Sequence, residues 1–228
     1  MNQFEAAREG DLEWFDNNKF DIDAKDDHGN TALVWASGHG HTEIALSLIE
    51  KGANLDLQNS LGDNVLILAS WKGHTEIALS LIEKGASLDL QNAWGNTALI
   101  WASWYGRKEI AFALIEKGAN LDLQDEHDNT ALIWASCKGR KEIVFKLIES
   151  GADLNIQDKS GETALICASC KGRKEIADAI ESWTQTPRSL KYTIQMHLKG
   201  CGTDTCNTPI LLLQMNPLEK EINIDQEF

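Results

Sequence analysis

Two consecutive stretches of the sequence are nearly identical: His28–Asn59 reads HGNTALVWASGHGHTEIALSLIEKGANLDLQN, and Leu61–Asn92 reads LGDNVLILASWKGHTEIALSLIEKGASLDLQN. The same register continues from Trp94, from His127 and from Ser160, at a period of 33 residues. A fixed period of this length is typical of a solenoid built from one repeated supersecondary unit. We therefore predict a stack of five such units, each of which buries its apolar face only against its neighbours.

Within one unit the pattern predicts two short helices and an extended loop. Thr31 has a side chain suited to begin the first helix, and Gly40 is suited to end it. The next segment, TEIALSLIE, places Ile44 and Leu48 on one apolar stripe of a second helix. The loop that follows, NLDLQNSLGD, alternates apolar and polar residues and closes on a tight turn, which predicts a β-hairpin arm.

These residues resemble the ankyrin repeat, through D-x-x-G-x-T-x-L-x-x-A, then G-H-x-E-I, then L-I-E-x-G-A-x-L-D. The resemblance implies an all-α protein, an ankyrin-repeat α-solenoid of helix–turn–helix units with β-hairpin loops and a 33-residue period. It covers residues 1–183, divided into a cap unit 1–26, units 27–59, 60–92, 93–125 and 126–158, and a C-terminal cap unit 159–183. Residues 184–228 leave the repeat, and we expect a hairpin or a disordered tail there.

Comparing the units with one another separates scaffold from recognition surface. Trp35, Trp101 and Trp134 recur in one column, which predicts buried or half-buried packing, whereas Trp71 and Trp104 occupy a column that varies. In the family that the chain resembles, the end of the first helix and the loop tips line a concave binding groove. Tryptophan and tyrosine often anchor protein interfaces. The predicted partner-binding residues are Leu61, Trp71, Trp94, Trp104, Tyr105, His127, Lys138 and Lys171.

Charge is unevenly distributed along the chain. The protein has 35 acidic and 21 basic side chains, a net charge of −14, so we expect no nucleic-acid partner. Nine basic residues nevertheless recur near the turns between helices in the later units. They allow either a solvated face balanced by Glu109, Glu142 and Glu175 or a stripe that binds an acidic or phosphorylated partner. These nine are Lys72, Arg107, Lys108, Lys138, Arg140, Lys141, Lys171, Arg173 and Lys174.

The sequence offers little chemistry. It has no phosphate-binding glycine loop with lysine, no G-x-S-x-G and no H-E-x-x-H, so we predict a protein that is not an enzyme and uses no cofactor or metal. The five cysteines do not suggest a disulfide framework, and we expect Cys167 to be a buried thiol. In the tail, His197, Cys201 and Cys206 fall one ligand short of a closed zinc site.

These observations predict a non-catalytic interaction scaffold or adaptor that binds a protein partner through the concave groove. The alternative is a substrate-recognition adaptor of a ubiquitin ligase, because PRSLKYTIQMHL and LLLQMNPLEKEI in the tail distantly resemble a suppressor-of-cytokine-signalling box. No apolar run is long enough to cross a bilayer, so we expect no membrane insertion. We expect a monomer in the cytoplasm or the nucleus.

Overall fold

A computed structural model of the protein describes residues 1–186, and these form twelve α-helices. The tail predictions for the hairpin, the zinc ligands and the ligase-recruiting segment lie beyond residue 186, outside the described part. The helices are α1 Gln3–Glu9, α2 Leu12–Asn17, α3 Ala32–His39, α4 Thr42–Glu50, α5 Val65–Lys72, α6 Thr75–Glu83, α7 Ala98–Tyr105, α8 Lys108–Glu116, α9 Ala131–Lys138, α10 Lys141–Glu149, α11 Ala164–Cys170 and α12 Lys174–Gln185.

The helices form two layers. Each odd-numbered helix packs on the next odd-numbered helix, each even-numbered helix packs on the next even-numbered one, and the two helices of a unit pack on each other. This arrangement is the predicted all-helical solenoid, and the fold class is confirmed. We call the odd-numbered helices inner and the even-numbered helices outer.

The inner helices begin and end where the sequence predicts. The Thr31 hydroxyl accepts a hydrogen bond from the Val34 amide at 3.2 Å, and Gly40 ends α3 with φ of 77°. That positive φ favours glycine, because a residue with a Cβ is strained there. In the third unit Asn64 replaces the threonine, and its side chain caps α5 in the same way, accepting from the Ile67 amide at 2.9 Å.

The core lies between the two layers. Ile44, Ala45, Leu48 and Ile49 are buried on α4, as the helical spacing predicted, and the equivalent residues of the other units are buried beside them. Burying one leucine or isoleucine side chain contributes about 1.5–3 kcal/mol. Because each stripe is covered by both neighbouring units, stability depends on the stack and not on any single unit.

The loops form turns, and no strand occurs in residues 1–186, so the predicted hairpin arms lack β structure. Within the first loop the Gly29 amide donates to the Asp26 carbonyl at 2.9 Å, and the Asp26 carboxylate accepts from the amides of His28 and Asn30. Successive loops are joined by bonds such as Ser60 amide to His28 carbonyl, 2.9 Å. The loop backbone is thus satisfied largely by its own turn and side chains, without the run of ladder bonds that defines a strand.

Candidate partner-binding cleft

The inner helices and the loops enclose a cleft of about 410 Å³ in the central units. The last turns of α5 and α7 supply Trp71 and Trp104, and the loop before α7 supplies Trp94. The residues that line the cleft are Leu61, Asp63, Trp71, Asn92, Trp94, Asn96, Trp101, Trp104, Asp125, Glu126, His127 and Trp134.

Four of the cleft's tryptophans form a continuous row across three units. The ring centroids of Trp71 and Trp101 are 5.9 Å apart, those of Trp101 and Trp104 are 6.0 Å apart, and those of Trp104 and Trp134 are 3.8 Å apart. Tyr105 extends the row, with its ring 5.8 Å from that of Trp101. Trp101 therefore lies between Trp71 and Trp104, the two residues that the sequence predicted as neighbours.

The structure brings together most of the residues predicted from the sequence. Leu61, Trp71, Trp94, Trp104 and His127 all line the cleft. Tyr105 contacts the rings of Trp101 and Trp104, and the Lys138 Nζ lies 4.1 Å from the Trp104 ring centroid. Lys171 follows α11 one unit further along, where it is exposed, and it is not among the residues that line the cleft.

The sequence missed two tryptophans of the cleft. Trp101 and Trp134 are half-buried, in keeping with the predicted packing column, but they also line the cleft wall. Recurrence in every unit suggested scaffold, and it concealed that the same ring can pack on one side and face the cleft on the other. The signal that could have identified them is sequence distance, since Trp71 and Trp104 lie 30 residues before Trp101 and Trp134.

The indole N–H groups of this column have different partners. Trp134 Nε1 donates to Asp125 Oδ2 at 2.7 Å, and Trp35 Nε1 makes the same bond with Asp26, also at 2.7 Å. The loop position that corresponds to Asp125 is Asn92 beside Trp101, and the Asn92 side-chain amide donates instead of accepting. Within residues 1–186 the Trp101 N–H has no acceptor, so it is available to a ligand in the cleft.

Carboxylates lie on the loop side of the cleft. Asp63 is only 6 % exposed, and its Oδ1 accepts a hydrogen bond of 2.8 Å from the Asn92 side chain. Burial raises the pKa of the Asp63 carboxyl, and the Asn92 hydrogen bond opposes that increase in part. Asp125 is held by its bonds to Trp134 and to its own turn, while Glu126 is exposed and lies 3.7 Å from His127.

The basic stripe is largely engaged in contacts between units. The Arg107 guanidinium donates to the Lys72 carbonyl at 3.1 Å, and Arg140 donates to the Trp104 carbonyl at 3.3 Å. Lys108 pairs with Glu142 at 3.9 Å, and Lys141 pairs with Glu175. These contacts favour the balanced face over a continuous stripe for an acidic partner. Lys72 and Lys138 differ, since their Nζ atoms lie 3.9 and 4.1 Å from the centroids of Trp71 and Trp104.

The expectation of a buried thiol at Cys167 was wrong. Cys167 is joined to Cys137 by a disulfide bond between α11 and α9, with the two Cα atoms 5.4 Å apart. Cys170, one turn after Cys167, is exposed and free. With this bond present, the cysteines no longer support a reducing compartment, and the cytoplasmic or nuclear location stays a prediction.

Two further searches concern only residues 1–186. In this part of the chain, no group of three or more His, Cys, Asp or Glu side chains is arranged to hold a metal ion. Its helices also include none with the length and apolar character needed to span a membrane.

Comparison with known proteins agrees with the geometry. The family model for ankyrin repeats in three copies matches residues 4–92, 48–125, 81–158 and 99–182. The crystal structure of EF0377, an ankyrin repeat protein, superposes with a TM-score of 0.72 and 35 % sequence identity. That match covers 79 % of this chain and 96 % of the other. A search of curated protein sequences found no match.

Proposed function

Because the chain belongs to the ankyrin repeat family, whose members generally act in protein–protein interaction, we propose that it is a non-catalytic scaffold or adaptor. It binds a protein partner in the cleft between the inner helices and the loops. The observation that carries the proposal is the row of tryptophans from Trp71 to Trp134, which extends over three units and is open along one wall.

The distribution of exposed apolar side chains supports this choice of surface. Five large hydrophobic residues of the described part are exposed, and three of them, Leu61, Trp94 and Tyr105, border the cleft. Leu61 is 49 % exposed and Trp94 is 39 % exposed. Apolar groups concentrated at one site and rimmed by polar residues are typical of interaction sites. Aromatic rings that are already held in place lose little conformational entropy when a partner covers them.

We propose no catalytic activity for the cleft. Its carboxylate Asp125 is committed to the Trp134 indole and to the turn of its own loop. Active sites usually combine an enclosed pocket with convergent titratable groups, whereas this site is an aromatic groove. The alternative role as a ubiquitin ligase adaptor stays a prediction from the tail sequence, and neither comparison concerns it.

Affinity purification with quantitative mass spectrometry tests the proposal on the full chain. We compare the wild type with Trp71→Ala/Trp104→Ala and with the matched variant Trp35→Ala, which removes a tryptophan outside the cleft. The expected result is partner capture reduced at least about tenfold by the double change and retained by Trp35→Ala, since interface hot spots contribute 2 kcal/mol or more. Equal capture by all three folded proteins would contradict the proposal.

A chain truncated after Trp183 separates the two roles. If the cleft alone recruits the partner, the truncated protein captures it as well as the wild type does. Loss of elongin proteins from the wild-type capture on truncation would instead support the adaptor role. We also propose a monomer, and size-exclusion chromatography with light scattering should return a mass near 25.3 kDa.

A further inference from the structure

Asp63 is a buried carboxylate in the cleft with no cationic partner among the described residues. Its single side-chain hydrogen bond comes from a neutral amide, Asn92 Nδ2, at 2.8 Å. No lysine, arginine or histidine of residues 1–186 forms an ion pair with it. An ionised carboxylate removed from water without a counter-ion costs free energy, and this is consistent with its raised pKa.

The repeat itself indicates that the fold does not need this charge. The equivalent loop position is Asn30, Asn96 or Asn129 in three other units. Between the first two loops, the Asn59 side chain donates to Asn30 Oδ1 at 2.9 Å, which reproduces the bond that Asn92 makes with Asp63. An asparagine therefore meets the structural requirement at this position. The negative charge is a feature of one unit, and that unit contributes to the cleft.

The aromatic faces of the cleft differ in whether the chain already covers them with a cation. Lys72 and Lys138 lie over Trp71 and Trp104, as described above, so these two rings already carry an ammonium group. Among the described residues, no lysine or arginine lies over Trp101 or Trp94. Of the charged residues that line the cleft, three are carboxylates and none is a lysine or arginine.

From these observations we propose that the cleft holds an arginine side chain of the protein partner, with the guanidinium stacked against the free indole of Trp101 and ion-paired with Asp63. The proposal rests on the proposed function, and it specifies the chemistry of the partner residue that enters the cleft. The Trp101 N–H, which lacks an acceptor, is then free to donate to a carbonyl of the partner's backbone.

Guanidinium fits this site better than ammonium does. It is planar and weakly hydrated, it stacks on aromatic faces, and it presents paired N–H donors that match the two oxygens of a carboxylate. A lysine ammonium is compact and strongly hydrated, so it loses more on entering an apolar cleft. Ion pairing with a partner guanidinium also supplies the counter-ion that the buried Asp63 lacks.

Short peptides test the subsite directly on the full chain. The probes are Ac-Gly-Arg-Gly-NH2, the citrulline analogue that keeps the shape without the charge, and the lysine and glutamate analogues. Binding is followed by the indole N–H signals in two-dimensional NMR, with the Trp101 signal assigned by its loss in Trp101→Leu. We expect saturable shifts of that signal with the arginine peptide and at least about tenfold weaker binding of the citrulline peptide.

Two variants with matched controls give the residue assignment. Asp63→Asn keeps the bond to Asn92 and should weaken arginine binding about tenfold, whereas Asp27→Asn removes an exposed loop carboxylate and should leave it unchanged. Trp101→Leu places in this column the residue that Leu68 already provides, and it should abolish the saturable shifts seen at the other cleft indoles. Trp35→Leu is its control.

Several outcomes overturn the proposal. Equal binding of the arginine and citrulline peptides, no effect of Asp63→Asn, or no arginine binding at tens of millimolar would each do so. Preferred binding of the glutamate peptide would assign the cleft to an acidic partner through Lys72 and Lys138. The proposed function fails separately: if Trp71→Ala/Trp104→Ala abolishes partner capture while the arginine peptide does not bind, the cleft is an interface and only the arginine subsite is wrong.

Discussion

Cys137 of α9 is bonded to Cys167 of α11 at the inter-unit junction that follows the one where Trp104 meets Trp134. Both pairs are separated by 30 residues, and so are Trp71 and Trp101. The end of one inner helix therefore meets the middle of the next at each of these three junctions. Two junctions are filled by stacked indoles, and the third is closed by a covalent bond.

The disulfide should stabilise the C-terminal part of the stack. Replacing both cysteines, Cys137→Ala/Cys167→Ala, is expected to lower the free energy of unfolding by about 3–4 kcal/mol, the chain-entropy value for a closed loop of about 30 residues. Urea denaturation of the oxidised protein measures the change. Cys170→Ala is the control and should have no effect. Peptide mapping under non-reducing conditions that finds no Cys137–Cys167 link would contradict the prediction.

A column of buried serines should be improved by alanine. The hydroxyls of Ser37, Ser70, Ser103 and Ser136 are buried and have no hydrogen-bond partner among the described residues. Removing such a group relieves its desolvation, so Ser103→Ala should raise the free energy of unfolding by about 0.5–1 kcal/mol. Ser169, in the same column, is exposed and donates to the Leu165 carbonyl at 2.9 Å, so Ser169→Ala should bring no gain. Urea midpoints of the two variants make the comparison.

The Asp125 carboxylate should stabilise the unit through Trp134. Asp125→Asn is expected to remove the acceptor of the indole N–H and to lower the free energy of unfolding by about 1–2 kcal/mol. The loss should be much smaller when Trp134→Leu is also present, because the acceptor then has no donor to serve. The second unit already combines Asn59 with Leu68, so the double variant is compatible with the fold. Equal losses in both backgrounds would mean that the bond contributes nothing.

Asp63→Asn should stabilise the protein at neutral pH. Burial gives the folded carboxyl a raised pKa, so the folded state binds this proton more readily than the unfolded chain does, and stability falls as pH rises through the folded pKa. The neutral variant lacks this loss. Its advantage should be constant above the folded pKa and should shrink as pH falls towards the ordinary value of 3.8. Urea midpoints measured from pH 7 to pH 4 test this, with Asp27→Asn as the exposed control. A gain that grows on acidification would show the wrong sign.

The architecture could be predicted from the sequence because its signals are local and repeated. Thr31, Gly40 and the stripe around Leu48 act within a few residues, and their recurrence removes ambiguity. The cleft was only partly predictable. Variation between units identified Trp71, Trp94 and Trp104, but the recurrence of Trp101 was attributed to packing alone.

The other errors have the same physical origin. Contacts across the inner layer join residues 30 apart, not one full period apart, so the pairing of Cys137 with Cys170 was considered and that with Cys167 was missed. Whether a basic residue binds the neighbouring unit, as Arg140 does, or remains on the surface also depends on the stacking. Local sequence does not contain that geometry.

The constant 30-residue offset also determines how this protein can change by recombination between its nearly identical units. Deleting the 33 residues 94–126 in frame would place Trp71 exactly 30 positions before Trp134, so a tryptophan pair would again fill the new junction. The shortened stack would keep an aromatic row while losing Trp94, Trp101 and Trp104. Gain or loss of a whole unit thus resizes the recognition surface without exposing an unmatched junction.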